Sequence, residues 1–178
     1  MGLRFKVDQT EAIYFITTTV VDFQPVLTQS GVPEILYDSL AFYRIKYAFR
    51  LNAYVIMPHH IHLLIHIDTK TNISDIMRDF KKYTSVQIHK YLIELKSPFL
   101  EKFLIRGRNA GQKFKLWMNR SDKVVIVTEK ILTTKLHYIH ENPVRARLVI
   151  RSEDYPYSSA GFYLTGRAGK IRIDEIHW

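Results

Sequence analysis

"NAYVIMPHHIHLLIHID" (52–68) is rich in β-branched and aliphatic residues and too long for a single strand. Pro58 interrupts it and has no N–H to give to a β-ladder, so the stretch reads as two strands turning near Met57–His59. Successive side chains of a strand point to opposite faces. After the turn the odd positions Ile61, Leu63, Ile65 and Ile67 are all aliphatic and belong to a core. The even positions carry His60, His62, Leu64 and His66.

Residues two apart on one face of a strand lie about 6.6 Å apart, close enough for two imidazoles to converge on one cation. His66 lies about 13 Å further along than His62, too far to share that ion. His59 sits in the turn or faces away. Spacing therefore nominates His60 and His62 as a ligand pair, although a His-x-His pair on a strand also arises with no metal near it. A catalytic metal site usually has a third protein ligand and an open position.

Working outward, "EAIYFITTTVVD" (11–22) reads as a strand and "GVPEILYDSLAFYRIKYAFR" (31–50) as a helix opening at Pro33 and Glu34. "NISDIMRDFKKYTSVQIHKYLI" (72–93) reads as a second helix, capped by Asn72 or Ser74, with Arg78, Lys81, Lys82 and Ser85 on one polar face. "KFKLWMN" (113–119) alternates Phe114, Leu116 and Met118 against Lys113, Lys115, Trp117 and Asn119, the pattern of a half-buried strand. Thr128 caps a third helix, "EKILTTKLHYIHEN", ended by Pro143. The order β-α-β-β-α-β-α fits an α+β, ferredoxin-like antiparallel sheet with helices on one side. Residues 1–150 form the domain, and the tail 151–178 reads as irregular chain packed on it.

The 178 residues carry no cysteine, which excludes disulfides, thiolate metal sites and cysteine nucleophiles. No apolar run is long enough to span a bilayer, and "MGLRFKVDQT" lacks a signal-type apolar stretch; a cytoplasmic protein without membrane contact is the expectation. The net charge of +9 calls for a polyanionic partner. Twelve Lys or Arg against four acids between Arg78 and Lys123 concentrate that charge in the middle of the chain.

In the third helix Leu132, Leu136 and Ile139 form a core stripe, while Tyr138 and Asn142, one turn apart, share another face. On spacing alone they are equally a surface tyrosine and a helix-end asparagine. Taken with the histidine hairpin they gain a meaning. "YVIMPHHIHLLI", "KLHYIHENPVRARLV" and "EDYPYSS" resemble the single-tyrosine HUH transposases, in the REP-associated tyrosine transposase, IS200-like branch. The resemblance implies an HUH endonuclease fold, with His60, His62 and Asn142 as metal ligands and Tyr138 as nucleophile. Two positions depart from the family: His59 stands where Asn or Asp is common, and Arg147 where Gly is usual.

The resemblance further implies Mg²⁺- or Mn²⁺-dependent cleavage and strand transfer of single-stranded, hairpin-associated DNA through a 5′-phosphotyrosine. Arg78, Lys81, Lys82, Arg106, Arg108, Lys113, Lys115, Arg120, Arg145 and Arg147 are the candidate phosphate contacts, with Trp117, Phe114 or Tyr83 as base platforms. A rival reading is a domesticated relative that holds hairpin DNA without cutting it. Other histidine phosphoesterases fit poorly: Leu64 occupies the third position of a His-x-His-x-His run, and two-histidine phosphoesterases need two separated His-x-Thr/Ser motifs, for which "HIH" is the only candidate. Monomer and homodimer both remain open, as does use of Tyr138 within its own chain or by a partner.

Overall fold

A computed structural model describes residues 11–68, 70–103 and 114–176. Strand β1 (Glu11–Thr19) is followed by helix α1 (Val32–Tyr47), the hairpin β2 (Arg50–Ile56) and β3 (His60–Asp68), and helix α2 (Ile73–Glu94). Strand β4 (Asp122–Ile126), helix α3 (Glu129–Arg145) and the short helix α4 (Ala160–Thr165) complete the chain. The strands form one four-stranded sheet, order β2-β3-β1-β4, with every neighbour antiparallel. This is the expected α+β, ferredoxin-like arrangement. Among the described residues no helix is long and apolar enough to cross a membrane.

The aliphatic parity of β3 decides the core. Ile61, Leu63, Ile65 and Ile67 are all buried and pack with Leu36, Leu40, Ile76, Phe80 and Ile88 from α1 and α2. Burying each such side chain stabilises the fold by about 1.5–3 kcal/mol. A bulge at Asn52 switches the parity of β2, so Leu51, Tyr54 and Ile56 join this core while Ala53 and Val55 face the other way.

The expectation of helices on one side holds for α1 and α2 only. Ile13, Phe15, Ala53, Val55 and Leu64 make the histidine-bearing face apolar too, and α3 covers it with Leu132 and Ile139. Two further expectations change. Residues 114–119 form no regular strand: Phe114 and Trp117 make isolated bridges, the latter to Val20, and Trp117 is buried with its Nε1 donating to Thr84 Oγ1 (3.0 Å) and its ring meeting Phe80. The fourth strand is β4. Pro143 does not end α3, which runs through it to Arg145.

Beyond the proline α3 closes in an ordered way. Leu148 N donates to Pro143 O (2.9 Å) and Arg147 N to Val144 O (2.9 Å), with Arg147 at φ 57°. This is the paired Schellman closure with a left-handed residue just past the cap. It satisfies the carbonyls of Pro143 and Val144; the bond that the proline itself forfeits is the separate one to Ile139 O.

The tail is more ordered than its composition promised. Tyr157 and Ser159 bond the outer edge of β2: Ile56 N donates to Tyr157 O (2.8 Å) and Ser159 N to Tyr54 O (3.0 Å). Further along, Leu51 N and Asp174 N exchange bonds with Asp174 Oδ2 (2.8 Å) and Leu51 O (2.9 Å). The tail thus satisfies edge groups that would otherwise pair with another chain.

A left-handed conformation costs a non-glycine residue about 1–2 kcal/mol, and glycine gives back roughly half of this as unfolded-chain entropy. Arg147→Gly is therefore expected to raise the stability of the protein by about 0.5–1 kcal/mol, read as a higher urea midpoint with unchanged slope. A lower midpoint would show that the arginine side chain contributes more than its backbone strain costs.

Candidate active site

The register of β1 against β3 sets one wall of the site. Thr17 pairs with His62 and Phe15 with Leu64, so Thr17 and Phe15 share the histidine face. His62 Nδ1 and Thr17 Oγ1 are hydrogen-bonded at 2.8 Å. The Phe15 ring stacks on His62 with centroids 5.3 Å apart. Clamped in this way, His62 is 4% exposed and its Nε2 is buried with no protein partner.

Helix α3 supplies the other wall. Tyr138 meets His62 edge-to-face at 5.2 Å between centroids and Phe15 at 5.9 Å. His60 lies 4.7 Å from His62 by ring centroid, and the Asn142 side chain is near enough to His60 to favour its protonated form. The four residues singled out by sequence, His60, His62, Tyr138 and Asn142, are thus brought together by β3 and α3 of one chain.

Burial dominates the electrostatics. It pushes His60 down to about 4, with His59 adding to the fall and Asn142 opposing it. It pushes His62 down to about 3, helped by His60 and by the Lys135 ammonium. Both imidazoles are neutral in ordinary buffers and present lone pairs rather than charge.

Nε2 of His62 is a buried nitrogen without a partner, and such a group costs about 1–3 kcal/mol if nothing satisfies it. A divalent cation satisfies it when Nδ1–H donates to Thr17, since an imidazole held by a second-shell acceptor is oriented for ligation. Among the described residues no set of three or more His, Asp or Glu can hold a metal. The donors at hand are therefore two imidazoles and the amide oxygen of Asn142, a set that fits a divalent ion and leaves positions open.

The other histidines are placed apart. His59 occupies the turn, its ring edge-on to Phe23 (5.6 Å) and its carbonyl accepting from Val20 N (2.8 Å). His66 lies at the far end of β3, with Nε2 2.8 Å from Glu11 Oε2 and 3.0 Å from Arg50 Nη2.

The candidate DNA contacts separate as well. Arg78 is paired to Asp75 (2.5 Å) and Asp79 (3.0 Å). Lys81 donates to the carbonyls of Met118 (2.7 Å) and Asn119 (3.1 Å). Lys82 and Lys115 line a cleft of about 720 Å³ between α2 and residues 114–119. Arg120, Arg145 and Arg147 are exposed. Arg106, Arg108 and Lys113 lie outside the described residues. Trp117 and Phe114 are core residues rather than open base platforms, whereas Tyr83 is 47% exposed.

Sequence reading missed Thr17, Lys135 and His140. Lys135 Nζ lies 4.5 Å over Phe15 and 5.7 Å from the Tyr138 ring centroid; its spacing three residues before Tyr138 was the available signal. His140 Nε2 is 2.9 Å from Ser159 Oγ, which itself donates to Tyr54 O (3.2 Å), so α3 is braced to β2 through the tail. No local signal marks Thr17 or His140, because their roles depend on register and on a distant partner.

Burial also pushes His140 down to about 4. Unfolded histidines titrate near 6.5, so below that pH the unfolded chain binds protons that His60, His62 and His140 refuse. Stability of the metal-free protein is thus full above about pH 6.5 and declines as pH falls toward 4. Urea midpoints in chelator are expected to drop over that window, and His62→Gln should make the drop shallower. An identical pH profile in that variant would show that His62 is not held neutral by the fold.

The model of the family "Transposase IS200 like" matches residues 9–107, more than half of the chain, including His60 and His62 but ending before α3. The structure of a REP-associated tyrosine transposase bound to a REP hairpin superposes with TM-score 0.66 at 18% identity over 100% of both chains. A crystal structure of a transposase candidate from Deinococcus radiodurans R1 gives TM-score 0.52 at 20% identity, over 80% of this chain and 95% of that one. At these identities the two structures speak for the fold alone. No curated protein matches. With a matched family model that spans the histidine hairpin, and the fold shared with both structures, the chain belongs to the IS200-like transposase family.

Proposed function

We propose that this transposase cleaves and rejoins single-stranded DNA beside a hairpin, with Tyr138 as nucleophile and His60, His62 and Asn142 as ligands of Mg²⁺ or Mn²⁺. The observation that carries the reading is the approach of Tyr138 to a buried, neutral histidine whose Nε2 has no protein partner. Hairpin DNA as partner is supported by the REP-associated transposase of like fold, which was captured on a REP hairpin.

A divalent ion held by the two imidazoles and the amide supplies Lewis-acid stabilisation of the charge that develops on the scissile phosphoryl group. The two nitrogen donors suit Mn²⁺ better than Mg²⁺, which prefers oxygen. Thr17 fixes the ring of His62, and Phe15 excludes water from its flank. Tyr138 Oη attacks phosphorus, the P–O3′ bond breaks, and the strand leaves with a free 3′-OH. The 5′-phosphotyrosine keeps the energy of the phosphodiester, so a second 3′-OH reverses the step without ATP.

Incubation of an end-labelled hairpin oligonucleotide carrying single-stranded flanks with Mn²⁺ is expected to yield a covalent protein–DNA adduct on denaturing gels. Tyr138→Phe abolishes the adduct, and chelator prevents it. His60→Ala and His62→Ala slow it by more than about 100-fold, whereas Thr17→Val, acting through His62, lowers metal affinity by about 10–100-fold. An adduct that survives Tyr138→Phe would place the nucleophile elsewhere. Binding without any adduct would make the protein a hairpin-binding relative that does not cut.

A further inference from the structure

Two cations approach the ring of Tyr138, and among the described residues neither has a carboxylate partner. Lys135 Nζ lies 5.7 Å from the ring centroid and 4.5 Å over Phe15, one helical turn before the tyrosine. Arg145 Cζ lies 5.6 Å from the same ring, two turns beyond it. Eight ion pairs join acids and bases elsewhere among the described residues, and Lys135 and Arg145 enter none of them. Glu141 is one turn from Arg145 on α3 and makes no pair with it. Among the described residues the two charges thus have no acidic counterpart.

The cavity beside them has the matching character. A cleft of about 750 Å³ runs along α3, lined by Lys130, Thr134, His137, Tyr138 and Arg145, with Glu129 at its far end. The Thr134 hydroxyl is already given to the Lys130 carbonyl (2.7 Å), which leaves the Thr133 hydroxyl and the His137 imidazole as donors between two basic side chains, and Tyr138 lines the same cleft. Lys135 lies on the inner side of this arrangement, half-buried against Phe15 and close enough to His62 to act on its charge. Arg145 is exposed at the cleft mouth.

We propose that Lys135 and Arg145 clamp two phosphates of the bound strand on either side of Tyr138. Lys135 holds a non-bridging oxygen of the scissile phosphate, and Arg145 holds a neighbouring phosphate while the cleft takes the strand between. The clamp rests on the strand-cleavage reading and assigns within it a cation, Lys135, that lies outside the ligand set and the nucleophile. Its physical basis is direct. An oxygen nucleophile approaching a phosphodiester meets a charge of its own sign, and a fixed ammonium offsets that repulsion most in a site sheltered from water. As the Tyr138 Oη–P bond forms, the P–O3′ bond breaks; the phenol proton passes to water and the departing oxygen takes one up. Lys135 and Arg145 act by charge and exchange no proton.

The test uses the full chain, Mn²⁺ and an end-labelled hairpin oligonucleotide with single-stranded flanks. Lys135→Met keeps the apolar stem over Phe15 and removes the charge. It is expected to slow adduct formation at saturating DNA by about 10²–10³-fold, the scale of losing one fixed donor to a developing charge. Lys135→Arg restores much of the rate. Lys135→Met and Arg145→Gln are each expected to lower the slope of log affinity against log salt by about 0.7, the release from one single-strand phosphate contact. Melting temperatures close to wild type establish that both variants are folded.

A lysine that merely covers Phe15 predicts wild-type rate and slope in Lys135→Met, and that result overturns the clamp. If the wild type itself forms no Tyr138-dependent adduct, the cleavage reading fails on its own account. The salt slopes then decide the clamp alone: a reduced slope in both variants sustains it as a strand-binding device, and unchanged slopes end it.

Discussion

The antiparallel register of β1 against β3, with Thr17 opposite His62, is the constraint on which the site depends. A shift of one residue in that pairing would send every side chain of the moving strand to the other face. Held as it is, the register buries Ile61, Leu63, Ile65 and Ile67 beneath α1 and α2 and turns His60 and His62 toward α3. The same hydrophobic alternation that builds the core therefore aims the imidazoles. Core and candidate site are not separately encoded, and a strand that packs correctly cannot misplace its histidines.

That shared encoding explains why the hairpin and the histidine pair were legible in the sequence. Period-two alternation, one proline and the histidine spacing are all local signals, and each appears in the structure where its pattern puts it. Tyr138 and Asn142 were legible as neighbours on one helix face, but their approach to His62 and His60 is a tertiary fact that no spacing contains. The resemblance to a family bridged that gap.

What escaped reading is non-local in every case. Phe15 and Ile13 alternate against threonines, which conceals that their face needs a helix over it. Trp117 sits on the nominally outward side of its stretch, yet a hydrogen bond to Thr84 and contact with Phe80 draw it inward. Asp122–Ile126 begins with two charged residues and has four exposed positions, so its strand character comes from pairing with β1 rather than from burial. Pro143 looked like a stop, yet α3 continues to Arg145 and closes there with Arg147 in a conformation usually left to glycine.

The bracing of α3 by the tail also bears on the order in which the molecule is assembled. Chains emerge from synthesis amino end first. The histidine hairpin is therefore available early, whereas Ser159, which joins His140 of α3 to Tyr54 of β2, is among the later residues to appear. Tyr155 closes a similar long loop onto Ile56. The link from α3 through the tail to β2 is thus made only after this later segment has zipped along the β2 edge. A growing chain carries its imidazoles well before it carries the strap that seats the tyrosine helix over them.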